Sequence, residues 1–245
     1  MDGVVELAVF LGGTFAAACI SGLAGFGFAL IATAIWLHAL EPVQSAPLMV
    51  VYGLLVQAYA FWKLKSSLSY SRLLPFVLGS ALGVPFGVGL LAWASPGHLR
   101  IGTGVFLVLF SLYSLVRPTL PQFHSAGRVA DAGVGVLNGI LGGATALAGI
   151  VVVIWSGLRG WSKDEQRAVF QPTTFATYLM VALWLGGSGR ITPDIVWSFV
   201  LGLPALAVGS WLGWRLYGRL DESAFRKLVL VLLLISGAAL ALLAR

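Results

Sequence analysis

"SGLAGFGFALIA" at residues 21–32 and "NGILGGATALAG" at 138–149 decide the fold. Each is a glycine-rich stretch inside an apolar run too long for one membrane helix. The first run spans 3–40. As a single helix rising about 1.5 Å per residue it would reach about 57 Å, against about 30 Å of hydrocarbon. Steep tilt absorbs some of that excess, but a break at Gly22–Gly27 explains it more simply. The run 129–158 has the same form. Each run is expected to enter the bilayer, turn within it and come back to its starting side.

The composition agrees. The 245 residues are 59% hydrophobic and 10% charged, whereas soluble domains carry about 25% charged residues. So few charges cannot cover a soluble surface, and the chain reads as a polytopic membrane protein. Asp2 and Glu6 stand at the start of the first run in place of a basic flank, so no cleaved signal peptide is expected. The single Cys19 cannot form an intramolecular disulfide and reads as a small buried residue. The net charge of +6 fits basic loops on one side of a membrane better than nucleic-acid binding.

Polar punctuation sets further spans at about 42–62, 73–94, 99–116, 168–186, 193–214 and 225–244, with a polar linker "RPTLPQFHSAGR" at 117–128. The pattern restarts after the linker. "ISGLAGFG" (20–27) parallels "LNGILGGA" (137–144), and Gln44 parallels Gln166. "LPFVLGSALG" (74–83) parallels "WSFVLGLPAL" (197–206), and "HLRIGTGVFLVLFSL" (98–112) parallels "AFRKLVLVLLLISGA" (224–238). Four matches in one order indicate a duplication: repeats at 1–116 and 129–245 joined by the linker.

Positive charge orients the repeats. With returning long runs and both termini outside, the inner loops hold Lys63, Lys65, Arg72, Arg117, Arg128, Arg159, Lys163, Arg167, Arg215, Arg219, Arg226 and Lys227. The outer side holds only Arg100, Arg190 and Arg245. Eight simple crossings would leave no charge bias. Each repeat then crosses an odd number of times, so the second is inverted relative to the first, an arrangement found in transporters.

Irregular backbone at membrane depth is tolerated where it is buried in protein or lines a cavity. A glycine break exposes N–H groups at the start of the next helix, where the helix dipole favours an anion. Ser21, Gly22, Gly25 and Gly27 of the first half are therefore candidate substrate-binding residues. Asn138, Gly139, Gly142, Gly143 and Thr145 are their counterparts in the second. Gln171, Thr173 and Thr174 surround Pro172 and read either as a locally satisfied kink or as polar lining. Gln57 reads either as an interhelical hydrogen bond or as support behind the site. Gly79, Gly83 and Gly87, at i, i+4 and i+8, read as a helix-packing stripe. His38, Glu41 and Gln44 at the outer mouth and Arg167 at the inner one are gate candidates.

No Asp, Glu, Lys or Arg falls in the middle of a span, which argues against a carboxylate relay. No phosphate-binding loop, H-E-x-x-H or G-x-S-x-G motif occurs. No catalytic residue, metal or cofactor is expected, and the chain does not read as an enzyme. Trp62, Trp93, Trp161, Trp184 and Trp214 fall near span ends as an aromatic belt. Trp36 and Trp155, after the two breaks, are read as anchors too.

"GLAGFGFALIATAIW" (22–36), "GVLNGILGGATALAGIVVVIW" (135–155), "GWSKDEQRAVFQPTTF" (160–175) and the duplicated layout resemble the sulfite exporter TauE/SafE family. The resemblance covers essentially the whole chain. It departs at the first break, where the proline common in that family is absent until Pro42. It implies movement of small sulfur-containing oxyanions, sulfite or organosulfonates, across a bacterial cytoplasmic membrane, often as export. The expected partners are such an anion and the bilayer, with no nucleic acid. The expectation is an all-α secondary transporter working by alternating access. An anion channel and a non-transporting assembly subunit are the alternatives.

Overall fold

The computed structural model describes residues 3–36, 42–64, 68–90, 96–116, 123, 126–145, 147–185 and 193–243. They form ten helices, with no strand among the described residues. Apolar segments go helical because a helix satisfies its own backbone polar groups where water cannot. The first half comprises α1 (Val4–Ala24), α2 (Phe28–Trp36), α3 (Pro42–Leu64), α4 (Tyr70–Leu90) and α5 (Pro96–Val116). The second comprises α6 (Arg128–Thr145), α7 (Ile150–Leu158), α8 (Lys163–Leu185), α9 (Pro193–Tyr217) and α10 (Glu222–Leu243). Among the described residues, Val4–Ala24, Tyr70–Leu90 and Val196–Tyr217 are long and apolar enough to cross a membrane. The chain is an all-α, multi-pass membrane protein.

Both long runs are broken. Each gives one helix of roughly membrane length and one of 9 residues, about 13 Å and under half the hydrocarbon core. The short helices turn back. The Trp36 ring at the end of α2 packs at a tilt 5.4 Å from that of Phe10, near the start of α1. At the end of α7, the Leu158 carbonyl accepts from the Phe123 N–H at 2.9 Å. Trp155 Nε1 donates to Asp131 Oδ1 at 2.8 Å, and Arg159 Nη1 donates to the Ala126 carbonyl. The second run therefore ends beside its own beginning.

The helices pair across the halves: α1 with α9, α6 with α4, α3 with α8, and α5 with α10. Exchanging the halves maps this set of pairs onto itself. Close approach depends on glycine. A Cβ at Gly79, Gly83 or Gly87 of α4 would strike the carbonyls of Ala132, Val136 or Ile140 of α6. Reciprocally, Gly135, Gly139 and Gly143 lie against the α4 backbone. Gly83→Ala is therefore expected to destabilise the fold by about 1–3 kcal/mol through overpacking. Gly133, with open space at its Cβ position, should gain up to about 1 kcal/mol as alanine. Thermal unfolding in detergent compares the two; equal effects would contradict the packing account.

Charged ends of several helices meet at one end of the bundle. Arg72 Nη1 lies 2.6 Å from Glu165 Oε1, and Arg128 Nη2 donates to Ser71 Oγ at 2.8 Å. Glu222 Oε2 accepts from the Lys163 N–H at 2.8 Å, and Tyr217 OH donates to Asp164 Oδ1. In the exposed first turn of α8, ahead of its apolar span, the Arg72 hydrogen bond holds the Glu165 carboxyl below its ordinary range. The starts of α4, α6, α8 and α10 and the ends of α7 and α9 thus share this basic end.

Candidate functional site

The first break is built from Ala24 to Phe28. Gly25 ends α1 at φ 89°, its N–H donating to the Ser21 carbonyl at 2.7 Å. Gly27 precedes α2, also at φ 89°. Both sit in the left-handed region that strains any residue with a Cβ. The Gly25 carbonyl accepts from two amides, Gln57 Nε2 of α3 at 3.3 Å and Gln171 Nε2 of α8 at 3.4 Å. Gln57 is thus a brace behind the break.

Arg167 completes this break. It is fully buried. Its Nη2 donates to the Gly22 carbonyl at 2.8 Å, Nη1 to the Leu23 carbonyl at 3.3 Å, and Nε to Gln171 Oε1 at 3.3 Å. Those carbonyls belong to the last turn of α1, where no intrahelical donor exists and the dipole is negative. The guanidinium also lies 4.2 Å from the Trp214 ring centroid and 3.9 Å from that of Tyr217. A planar cation satisfies both the carbonyls and the ring faces.

The second break is held differently. Gly149 precedes α7 at φ 93°, and its N–H donates to Asn138 Oδ1 at 2.6 Å. Asn138 Nδ2 donates to Ser80 Oγ at 3.1 Å and to Thr177 Oγ1 at 3.0 Å. Both amide hydrogens of Asn138 are therefore committed. A Cβ at Gly149 would strike Thr174 of α8. The two breaks lean on α8 about one turn apart, at Gln171 and Thr174.

Several expected site residues fall elsewhere. Gly25 and Gly27 form the first break, but Gly22 lies against α9, a Cβ there reaching 2.8 Å from the Ser210 carbonyl. Gly139 and Gly143 face α4, and Gly142 faces Thr177 and Ala148. The turn glycine of the second half is Gly149. The sequence pairing of 20–27 with 137–144 is out of register with the half-helices, which start at Phe28 and Ile150. Packing glycines on α6 imitate break glycines in sequence. Only the residue next to the half-helix start distinguishes them.

The polar candidates are also redistributed. Thr145 donates to the Leu141 carbonyl, Thr173 to Val169 and Thr174 to Phe170, each four residues back. Around Pro172, Thr173 and Thr174 thus bond within α8, while Gln171 reaches across to the first break. Ser21 Oγ is fully buried with no hydrogen-bond partner among the described residues. Arg167 lies inside α8, about one turn in from its start at Lys163, and is fully buried rather than solvated. Of the other gate candidates, His38, Glu41 and the Gln44 side chain lie outside the described residues. Trp36 is no interfacial anchor: it is fully buried, with Phe28 and Tyr52 packed edge-on at 6.0 and 5.8 Å.

The arrangement can polarise or hold negative charge. The first-turn N–H groups of α2 and α7 lack intrahelical acceptors by helix geometry, and both helices start beside buried polar side chains. A cavity of about 690 Å³ borders α7 and α10 at Ile154, Gly157 and Phe225. It is not lined by Gly25, Gly27 or Gly149. No group of three or more His, Cys, Asp or Glu is placed to hold a metal among the described residues.

No curated protein and no solved structure matches the chain significantly. A family model described as "Sulfite exporter TauE/SafE" matches residues 9–240, nearly the full length. The chain belongs to the sulfite exporter TauE/SafE family.

Proposed function

We propose that the protein is a secondary transporter of small sulfur-containing oxyanions, sulfite or an organosulfonate, exporting them across a bacterial inner membrane. The observation that carries this reading is the pair of half-helices. α2 and α7 each begin at a left-handed glycine, and both breaks rest on α8 one turn apart. Two helix N-termini near one level offer N–H donors and positive dipole ends to an oxyanion. Ser21 Oγ, buried and unpartnered, adds a hydroxyl at the first break. The family match supports the substrate class.

In this reading 1–116 and 129–245 are inverted repeats joined by a cytoplasmic linker at 117–128. The exchange-symmetric helix pairing supports it. So does the end of α1, which reaches Arg167 near the basic end where α6 begins. Both termini then face the periplasm. Transport in this reading is by alternating access, with one set of paired helices rocking against the other. A periplasmic reporter fused after Arg245 should be active; activity of a cytoplasmic reporter there would overturn the inversion.

The transport claim is tested with purified protein in liposomes. The expected result is saturable flux of sulfite or a small organosulfonate down its gradient, without large unitary currents. Absence of flux for sulfite, thiosulfate and organosulfonates overturns the substrate class. Large unitary currents overturn the transporter mechanism in favour of a channel.

A further inference from the structure

Between α3 and α9 at the basic end lies a cavity of about 270 Å³ lined by Tyr59, Lys63, Trp211, Trp214 and Arg215. Among the described residues its wall carries two cations and no carboxylate. Both cations lie over aromatic faces: Lys63 Nζ is 5.2 Å from the Trp62 centroid, and the Arg215 guanidinium 5.3 Å from that of Trp211. Such stacking holds the charge over a ring while leaving N–H groups for an anion.

The inner wall connects this cavity to the first break. Trp214 lines the cavity and lies 4.2 Å from the buried Arg167 guanidinium. The same residue abuts Gly22, whose carbonyl Arg167 holds. The Trp214 Nε1–H is buried without a partner among the described residues. Tyr59 contacts the Trp214 ring edge-on at 6.3 Å. Two surface cations and a third cation behind one indole set a positive field running from this surface toward the break.

We infer that this cavity is an outlying binding site for the transported oxyanion on the face proposed to be cytoplasmic. Lys63 and Arg215 collect the anion there, and Trp214 is the flap between it and Arg167. The inference rests on the transport reading above and names where the substrate is first held. An apolar-walled recess lined by one sign of charge concentrates counter-ions and raises their association rate, an effect that salt suppresses.

The test measures sulfite flux in sided proteoliposomes of zwitterionic lipid, at low and high ionic strength. The expected result for Lys63→Ala/Arg215→Ala is a KM raised about 10-fold at low salt, the low end of such steering effects. The rise should largely vanish at high salt, with kcat kept, and only for substrate presented at the basic face. Lys63→Arg/Arg215→Lys should keep the wild-type KM. Trp214→Phe, which retains the ring but loses the N–H, should also raise KM from that face.

An unchanged KM in the double alanine variant, or an equal change from both faces, overturns the inference while leaving wild-type flux and the transport reading intact. A KM effect confined to liposomes containing anionic lipid overturns it in favour of a headgroup site. Absence of wild-type flux instead overturns the transport reading itself.

Discussion

Arg167→Ala is expected to cost about 4 kcal/mol of stability and to abolish transport. The guanidinium is fully buried and serves three acceptors, two of them terminal carbonyls of α1. Hydrogen bonds from a charged donor contribute about 1.5–3 kcal/mol each, and their removal leaves buried carbonyls unsatisfied. The void left beside the Trp214 and Tyr217 rings adds a cavity term. At about 2–4 °C per kcal/mol for a chain of this size, the apparent unfolding temperature should fall by roughly 8–16 °C. Arg167→Lys should recover little, because an ammonium lacks the forked donors and the flat face with which the guanidinium serves three acceptors and packs against two rings. Thermal unfolding in detergent checks both variants. A wild-type temperature for Arg167→Lys would show that charge alone suffices.

Asn138→Leu should have the next largest effect, about 3 kcal/mol. The replacement is close in size but removes the acceptor of the Gly149 N–H and the donor to Ser80 and Thr177. A buried backbone N–H without a partner costs about 1–3 kcal/mol, and hydrogen bonds between membrane helices add roughly 0.6 kcal/mol each. The damage should be local. Amide exchange across Ala148–Val152 should quicken more than across Phe26–Leu30, whose break is held by Arg167, Gln57 and Gln171. Equal quickening at both breaks would contradict the separate pins.

Much of this fold was legible because the bilayer imposes strict lengths. A run of 3–40 cannot be one helix, and the structure breaks it at Gly25–Gly27, within the stretch the sequence indicated. The stripe of Gly79, Gly83 and Gly87 was legible from its spacing, since only a close helix neighbour requires it. The second break was less so. Gly139, Gly142, Gly143 and Gly149 look alike in sequence, but the first three meet neighbouring helices and only Gly149 has positive φ. That difference is conformational and depends on where α7 starts.

Polar roles were hidden for another reason. Thr173 and Thr174 look like donors to a ligand, yet their hydroxyls donate one turn back to the carbonyls of Val169 and Phe170. Arg167 looked like a residue at the inner mouth because it follows Lys163, Asp164 and Glu165. Its burial comes from α1 and α9, more than 40 residues away in either direction. Asp131 is hidden in the same way. It is buried, 3.9 Å from Arg159, and accepts from Trp155, which ties the end of α7 to the start of α6. Such pairings across the bundle leave no local sequence pattern.

The central claim is that the oxyanion sits at the two glycine breaks. Selenite is a heavier analogue of sulfite, so crystals of the protein grown with it carry a label that anomalous scattering can locate. The account predicts a selenium peak within about 3 Å hydrogen-bond reach of first-turn N–H groups of α2 or α7. Gly27, Ser21 and Gly149 should border it. Saturating selenite with no peak at either break would contradict the account.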